Sequence, residues 1–432
     1  MRRLLLLCCT LLLVAGAEAA PSASLPRATS PESVGMSAER LRRIDRWLEE
    51  EIAEGHKSGA VGLIARHGRI VWEKAFGYAD AARHTPLRTD ALFRLYSMTK
   101  PITSVALLTL YEEGRLQLTD PLERFVPAFK NVGVYAGTDT LGHVVLHPPN
   151  RPITVQDVFR HTAGFTYGGY FSDTPVDKAY VAAGIGYAQL DSLTELVQKL
   201  ATMPLLSEPG ERFTYSFAHD VQAYLVEKIS GQPFADYCRK TILEPLGMRE
   251  TLFGEPAELS GRFPTLYQPD GHDGMTAVAP EQDEYRRFGA HPFGGISLSA
   301  TIEDYLRFAQ MLLNGGELNG VRILAPKTVQ LMSSNNLAPG TEKPDWMQGL
   351  GYGLGVAVVE DPAQAGNVGS RGEYGWPGVA TTWFTVNPEE DLVALLFAQQ
   401  RPRDVRFDET FRTLVYQSLL DQPDASAQHR RK

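Results

Sequence analysis

Phe93-Arg94-Leu95-Tyr96-Ser97-Met98-Thr99-Lys100-Pro101 runs into Ile102, Val105, Leu108 and Leu110, an apolar series that ends near Gly114. The spacing predicts a helix that starts close to Ser97. Lys100 stands three residues after Ser97, on the same helical face, so its amine can approach the hydroxyl. A serine hydroxyl is a weak nucleophile until a base takes its proton. Lysine is such a base only when burial or cationic neighbours bring its pKa well below about 10.4. The helix N-terminus adds favourable potential for a developing alkoxide or oxyanion. Pro101 fits, because first-turn N–H groups have no intrahelical partner. This is the only Ser-x-x-Lys in the 432 residues. Taken alone it is a weak signal.

Two further stretches could carry chemistry. Phe213-Thr214-Tyr215-Ser216-Phe217 follows the turn Pro209-Gly210-Glu211 and precedes a helical run through Leu225 and Ile229 to Gly231. A tyrosine at such a junction can present its phenol to a cleft, although packing is the simpler role. Gly372-Glu373-Tyr374-Gly375-Trp376-Pro377-Gly378-Val379 leads into the strand-like run Thr381 to Val386. A glycine-rich approach to an edge strand exposes backbone N–H groups to a ligand.

Around these stretches the chain is organised from its two ends. Ser37 reads as an N-cap for a helix carrying Leu41, Ile44, Leu48 and Ile52, stopped by Gly55. Ala60 to Arg66 and Ile70 to Ala75 flank His67-Gly68-Arg69 as a hairpin. Thr381 to Val386 and Leu392 to Ala398 flank Asn387-Pro388-Glu389-Glu390 as a second hairpin. Phe411, Leu414, Val415 and Leu419 predict a closing amphipathic helix. The middle is helix-rich, with long loops at about 131–152, 165–185 and 259–292. The expected fold is α/β (α+β). An antiparallel sheet from about 30–114 and 291–420 is flanked by helices, and a helical domain is inserted at about 115–290.

In this order, the three stretches resemble the serine β-lactamase and penicillin-binding-protein superfamily, most closely its class C β-lactamase-like branch with the family VIII carboxylesterases. The resemblance covers about 30–420. His161-Thr162-Ala163-Gly164-Phe165, Glu244-Pro245-Leu246-Gly247-Met248 and Gly294-Gly295-Ile296-Ser297 resemble three connecting segments of that superfamily. The resemblance implies a β-lactamase/transpeptidase-like fold. It also implies Ser97 as the acylated nucleophile, Lys100 as its base partner and Tyr215 as a proton shuttle. The oxyanion hole would be the backbone N–H groups of Ser97 and Val379. Two departures bear on substrate. Phe217 stands where lactam-cleaving members have Asn, and Trp376-Pro377-Gly378 where they have Lys-Thr-Gly. Phe217, Trp376 and Gly378 are therefore the expected substrate-binding positions, in a pocket that has lost a cation and an amide and gained two aromatics. Arg371, nearby in sequence, could still meet an anion.

Composition limits the alternatives. The 43% hydrophobic content suffices for a large core. Met1-Arg2-Arg3, the apolar run Leu4 to Gly16 and Ala17-Glu18-Ala19 read as a secretory signal peptide over residues 1–19. Without Arg2, Arg3 and Glu18, 40 basic and 50 acidic residues remain, which argues against nucleic-acid binding. Cys8 and Cys9 leave with the leader, and Cys238 reads as a packing residue. There is no Gly-x-Ser-x-Gly, so a nucleophile elbow has no support. His143 and His147 lack the central Glu of a zinc helix and run into Pro148-Pro149. His161 and His219 read as structural hydrogen-bonding residues. The expectation is a periplasmic or secreted serine hydrolase with no metal or other cofactor, no integral membrane segment after signal cleavage and a polar, disordered tail at 423–432. It would act on small apolar esters through an acyl-enzyme on Ser97, with water or another alcohol as acceptor. A β-lactamase, a D-amino-acid peptidase or DD-carboxypeptidase, and a non-catalytic penicillin- or peptidoglycan-binding protein are the alternatives. Oligomeric state is not legible.

Overall fold

His67 and Gly68 both have positive φ, 52° and 67°. A two-residue loop of that geometry matches the right-handed twist of the strands it joins. It connects β1 (Gly59–Arg66) to β2 (Arg69–Asp80) with Arg66 opposite Arg69. The computed structural model describes residues 24–271 and 274–420. The expected signal peptide and polar tail lie outside the described residues.

The second hairpin forms from β7 (Thr382–Asn387) and β8 (Leu392–Phe397), paired from Thr382↔Phe397 to Asn387↔Leu392. β8 also pairs with β1, Val61 facing Phe397, so strands from the two chain ends meet at the centre. With β3 (Thr85–Pro86), β4 (Leu350–Tyr352), β5 (Ala357–Val359) and β6 (Tyr374–Gly375), they make one antiparallel sheet in the order β4-β5-β6-β7-β8-β1-β2-β3. β7 is thus an interior strand, not the expected edge. Its pairing with β6 is nevertheless confined to Tyr374↔Val386, so the chain at 376–381 peels away from the sheet.

β1 and β8 are buried along their whole length, which is why both read as near-continuous apolar runs. Side chains alternate between two apolar clusters. Ala60, Ile64, Leu392, Ala394 and Leu396 meet α1 (Ala38–Ala53) and α5 (Val405–Tyr416) on one face. Ser37 caps α1 by accepting the Arg40 N–H, and Asp404 caps α5 by accepting that of Phe407. Val61, Leu63, Ala65, Leu395 and Phe397 join the larger core on the other face. That core also holds α2 (Thr99–Glu112), α3 (Ala218–Ser230) and α4 (Ile302–Leu313). Residues 99–110 of α2 are all buried, so the helix is sealed around its full circumference. Each fully buried Leu, Ile or Val there contributes about 1.5–3 kcal/mol over an exposed one. Residues 115–290 supply short helices, such as Val155–Phe159 and Leu193–Leu200, and small hairpins. They share the apolar core of the sheet half. His143 and His147 lie in and beside one of those hairpins, whose second strand is Val144–His147.

Candidate active site

The chain reaches Ser97 through a strained corner. Phe93–Arg94 pairs with Leu298–Ala300, and the Arg94 guanidinium is buried against Glu255 and Asp283. Two residues later Tyr96 adopts φ 46°, a left-handed conformation unfavourable for an aromatic residue. Such strain costs about 1–3 kcal/mol and persists only where the surroundings enforce it. Here the Tyr96 N–H donates to the Tyr285 hydroxyl at 3.2 Å, and the rings meet edge to face at 4.9 Å. Tyr96–Met98 is a single 3₁₀ turn, and α2 begins at Thr99. Ser97 therefore lies one short turn ahead of the α-helix and is partly exposed, while Lys100 is buried in its first turn.

Lys100 Nζ lies 3.1 Å from Ser97 Oγ and donates to the Gly295 carbonyl at 2.7 Å. It also sits 4.6 Å from the centre of the Tyr215 ring. Burial holds the Lys100 ammonium well below the ordinary lysine value, to about 7, while the Asp220 carboxylate pulls it back up. The Ser97 proton is thus within reach of an amine that is partly neutral at neutral pH.

Tyr215 is placed by the His161 segment. Thr214 N–H donates to the His161 carbonyl at 2.8 Å, and the His161 ring packs on Tyr215 at 4.8 Å. The Trp376 indole N–H donates to the Tyr215 hydroxyl at 3.0 Å. Burial raises the phenol above its usual value, and hydrogen bonds with Ser97 and Trp376 partly offset that. Tyr215 is therefore a neutral phenol linked to both Ser97 and the indole.

The third stretch closes on the first. Gly378 N–H donates to the Thr382 carbonyl at 2.7 Å. A Cβ on Gly378 would come within 2.3 Å of the Leu95 carbonyl oxygen, so only glycine lets the chain at 378 lie against the segment that carries Ser97. Glu373, at the start of this stretch, is buried and held by Arg412, Tyr416 and Thr385.

Ser97, Lys100, Tyr215 and Trp376 converge, and Gly378 lies close to the Leu95 carbonyl, two residues before Ser97. Phe217 does not line the open side. It is 1% exposed, with its ring against Tyr167 and Tyr187 at 4.6 and 5.2 Å. Tyr167 instead faces Lys100, its ring centre 5.7 Å from Nζ. Arg371 is exposed on the turn before β6, and no ion pair among the described residues joins it to the site. His161 does hydrogen-bond, Nδ1 lying 3.3 Å from Ser216 Oγ. His219 corrects the reading from sequence. Neither ring nitrogen has a hydrogen-bond partner among the described residues, and the ring packs at a tilt on His161 at 4.7 Å. Burial and the nearby Lys100 charge keep both imidazoles neutral.

Sequence reasoning missed an aromatic rim. Phe171 packs on Tyr215 at 5.5 Å and Trp346 on Trp376 at 6.2 Å, and both are more than half exposed. Tyr167, Tyr170, Val181 and Ile185 also line a cavity of roughly 370 Å³ beside the site. The exposed aromatics in an otherwise polar loop were the available signal. Asp220 was missed too, because one carboxylate inside a helical run carries no motif.

The Beta-lactamase family profile matches residues 44–417. Protein Rv1367c of Mycobacterium tuberculosis is 34% identical over 367 residues, covering 82% of this chain and 89% of that protein. Esterase EstB of Burkholderia gladioli is 32% identical over 386 residues, covering 83% and 89%. Among solved structures, EstCE1, a hydrolase with promiscuous acyltransferase activity, superposes with a TM-score of 0.74 at 27% identity. That match covers 88% of this chain and 99% of the other. The fold, the order of its motifs and these relatives agree: the chain belongs to the Beta-lactamase family and is a serine hydrolase.

Proposed function

We propose that the chain is a carboxylesterase for small, apolar, uncharged acyl esters. The observation that carries this reading is the Trp376 indole on the Tyr215 hydroxyl, at the position of the lysine that lactam-cleaving relatives use. An N–H donor orients the phenol but brings no cation for a substrate carboxylate. Tyr167, Phe171, Trp346 and the adjoining cavity add apolar surface around the site.

In this mechanism Ser97 Oγ attacks the ester carbonyl carbon as Lys100 Nζ takes its proton. Lys100 is favoured over Tyr215 for this step because burial pushes the amine toward its neutral, accepting form and the phenol toward its neutral, donating form. The N–H groups of Ser97 and Val379 hold the oxyanion, each worth about 10²–10³ in rate. The carbonyl–alkoxide bond breaks, and the alcohol leaves with a proton passed through Tyr215. Water then attacks the acyl-Ser97 ester, gives up a proton by the same route and releases the acid. The similarity to Esterase EstB supports the ester reading. The acyltransferase activity of EstCE1 supports an alcohol as an alternative acceptor. The N-terminal pattern supports export, which the N-terminal sequence of the secreted or periplasmic chain would test.

The deciding experiment compares p-nitrophenyl acetate, butyrate and octanoate with nitrocefin, for the wild-type chain and Ser97→Ala. Ester turnover that exceeds nitrocefin turnover and vanishes in Ser97→Ala supports the proposal. Turnover of nitrocefin alone would replace it with a β-lactamase, and stable acylation without turnover with a binding protein.

A further inference from the structure

We infer that Asp220 is a positioning residue for Lys100, governing the charge on its amine from across one residue of backbone. The inference rests on the proposed role of Lys100.

Asp220 lies in the first turn of α3, five residues after Tyr215, and has no solvent exposure. Buried carboxylates usually sit in contact with a cation, yet Asp220 makes no ion pair among the described residues. Its Oδ1 accepts the Gly295 N–H at 2.9 Å and its Oδ2 the Tyr187 hydroxyl at 2.8 Å. The carbonyl of the same Gly295 accepts from Lys100 Nζ at 2.7 Å. One glycine thus contacts the carboxylate through its N–H and the ammonium through its C=O. A Cβ at this position would come within 2.6 Å of the Tyr187 oxygen and 2.8 Å of Asp220 Oδ2. A side chain here would therefore displace the Tyr187 hydroxyl and the Asp220 carboxylate from these positions.

The other titratable groups around the pair carry no charge near neutral pH. Burial raises the phenols of Tyr167, Tyr187, Tyr215 and Tyr352, and lowers His161 and His219. Phe217, at the position of the relatives' Asn, offers Lys100 no polar atom. Among the described residues, Asp220 is the one carboxylate that acts on the amine. Burial drives Lys100 toward its neutral form and Asp220 opposes it, with opposite signs and no direct bond to trap the proton. A lysine in contact with a carboxylate would be locked as ammonium. One with no negative neighbour would stay neutral and be a weaker base. The separation through Gly295 gives the intermediate case that general-base catalysis at neutral pH needs.

The sign follows directly. The acid limb of kcat/KM reports the base losing its proton in the free enzyme. Asp220 favours protonated Lys100, so removing its charge moves that limb to lower pH. The test measures kcat/KM for p-nitrophenyl butyrate from pH 5 to 9 on the full chain, with Ser97→Ala, Asp220→Asn and Tyr187→Phe, and a thermal melt of each. Asp220→Asn keeps an acceptor for Gly295, and its limb should fall by about one pH unit or more. Tyr187→Phe leaves the carboxylate but makes its charge less favourable, and should give a smaller shift in the same direction. If Asp220→Asn does not fold, Tyr187→Phe decides. A limb that stays within about 0.2 unit of wild type, with Ser97→Ala inactive, overturns the Asp220 inference alone. Activity surviving in Ser97→Ala overturns the proposed function and this inference with it.

Discussion

Asp157 and Asp220 are both fully buried carboxylates, each close to a motif of the site, and their surroundings differ sharply. Asp157 binds Arg151 through both oxygens, at 2.6 and 2.9 Å, and Arg160 at 2.9 Å. It also accepts from the Thr154 N–H and hydroxyl and from the Thr162 hydroxyl. Burial alone would raise its pKa, but the hydrogen bonds from Arg151 and Thr154 outweigh that and hold the carboxyl at about 2. Among the described residues Asp220 touches no guanidinium or ammonium, and burial pushes its carboxyl up. In one region charge is neutralised in contact, and its protons are fixed. In the other, charge is held one residue from its partner, and the proton stays movable. The first region pins the His161 segment that supports Tyr215; the second surrounds the base.

The two regions should therefore fail in different ways. The largest effect should come from Ser97→Ala and Lys100→Met. Each should lower ester kcat/KM by about 10⁴-fold or more, as removal of a nucleophile or its base does, with a melting temperature near wild type. Asp157→Ala should do the reverse. Leaving Arg160 without its buried partner should cost about 3–5 kcal/mol of stability by denaturant unfolding, with kcat of the folded fraction little changed. A pH series sharpens this. The Asp157 carboxyl is depressed from its model-peptide range, so its contribution is present above about pH 4 and lost as pH falls through about 2. At roughly two pKa units it amounts to about 2–3 kcal/mol, and Asp157→Asn should flatten the acid limb of the stability curve.

Within the movable region, Trp376→Phe removes the N–H that orients Tyr215 while keeping the aromatic surface. We expect kcat for p-nitrophenyl butyrate to fall about tenfold to a hundredfold, less than the loss of an oxyanion donor because the indole acts through Tyr215, with KM nearly unchanged. An equal fall in kcat for nitrocefin and ester would show that the indole serves the phenol alone. The smallest effect concerns specificity. Val181→Trp, which narrows the cavity beside Tyr167, should lower octanoate turnover relative to acetate by roughly threefold to tenfold, about 0.7–1.4 kcal/mol, the low end of discrimination by a hydrophobic pocket.

Much of this was legible before any coordinates. The hairpins at His67-Gly68 and Asn387 to Glu390, the Ser37 cap and the apolar series of α2 follow from local periodicity and turn chemistry, which act over a few residues. Ser97 and Lys100 are three residues apart, one in the 3₁₀ turn and the other in the first turn of α2, so their meeting was local as well. The burial of Phe217, the unpartnered ring of His219 and the interior place of β7 were not legible. Each depends on what packs from elsewhere: Tyr167 and Tyr187 over Phe217, His161 over His219, and β6 beside β7. The aromatic rim was missed because Phe171 and Trp346 lie in irregular loops, whose direction no period encodes.

By itself, the sequence determined the motif order, the helix that starts beside Ser97 and carries Lys100, the sheet drawn from both chain ends, and an apolar rather than cationic third motif. Those are matters of residue type and short-range spacing. Only the tertiary structure decided which groups tune the chemistry. Trp376 reaches Tyr215 across 161 residues, and Asp220 reaches the Gly295 N–H across 75. Burial then sets the charge on Lys100, because the cost of a buried charge depends on everything packed around it and on nothing adjacent in the chain.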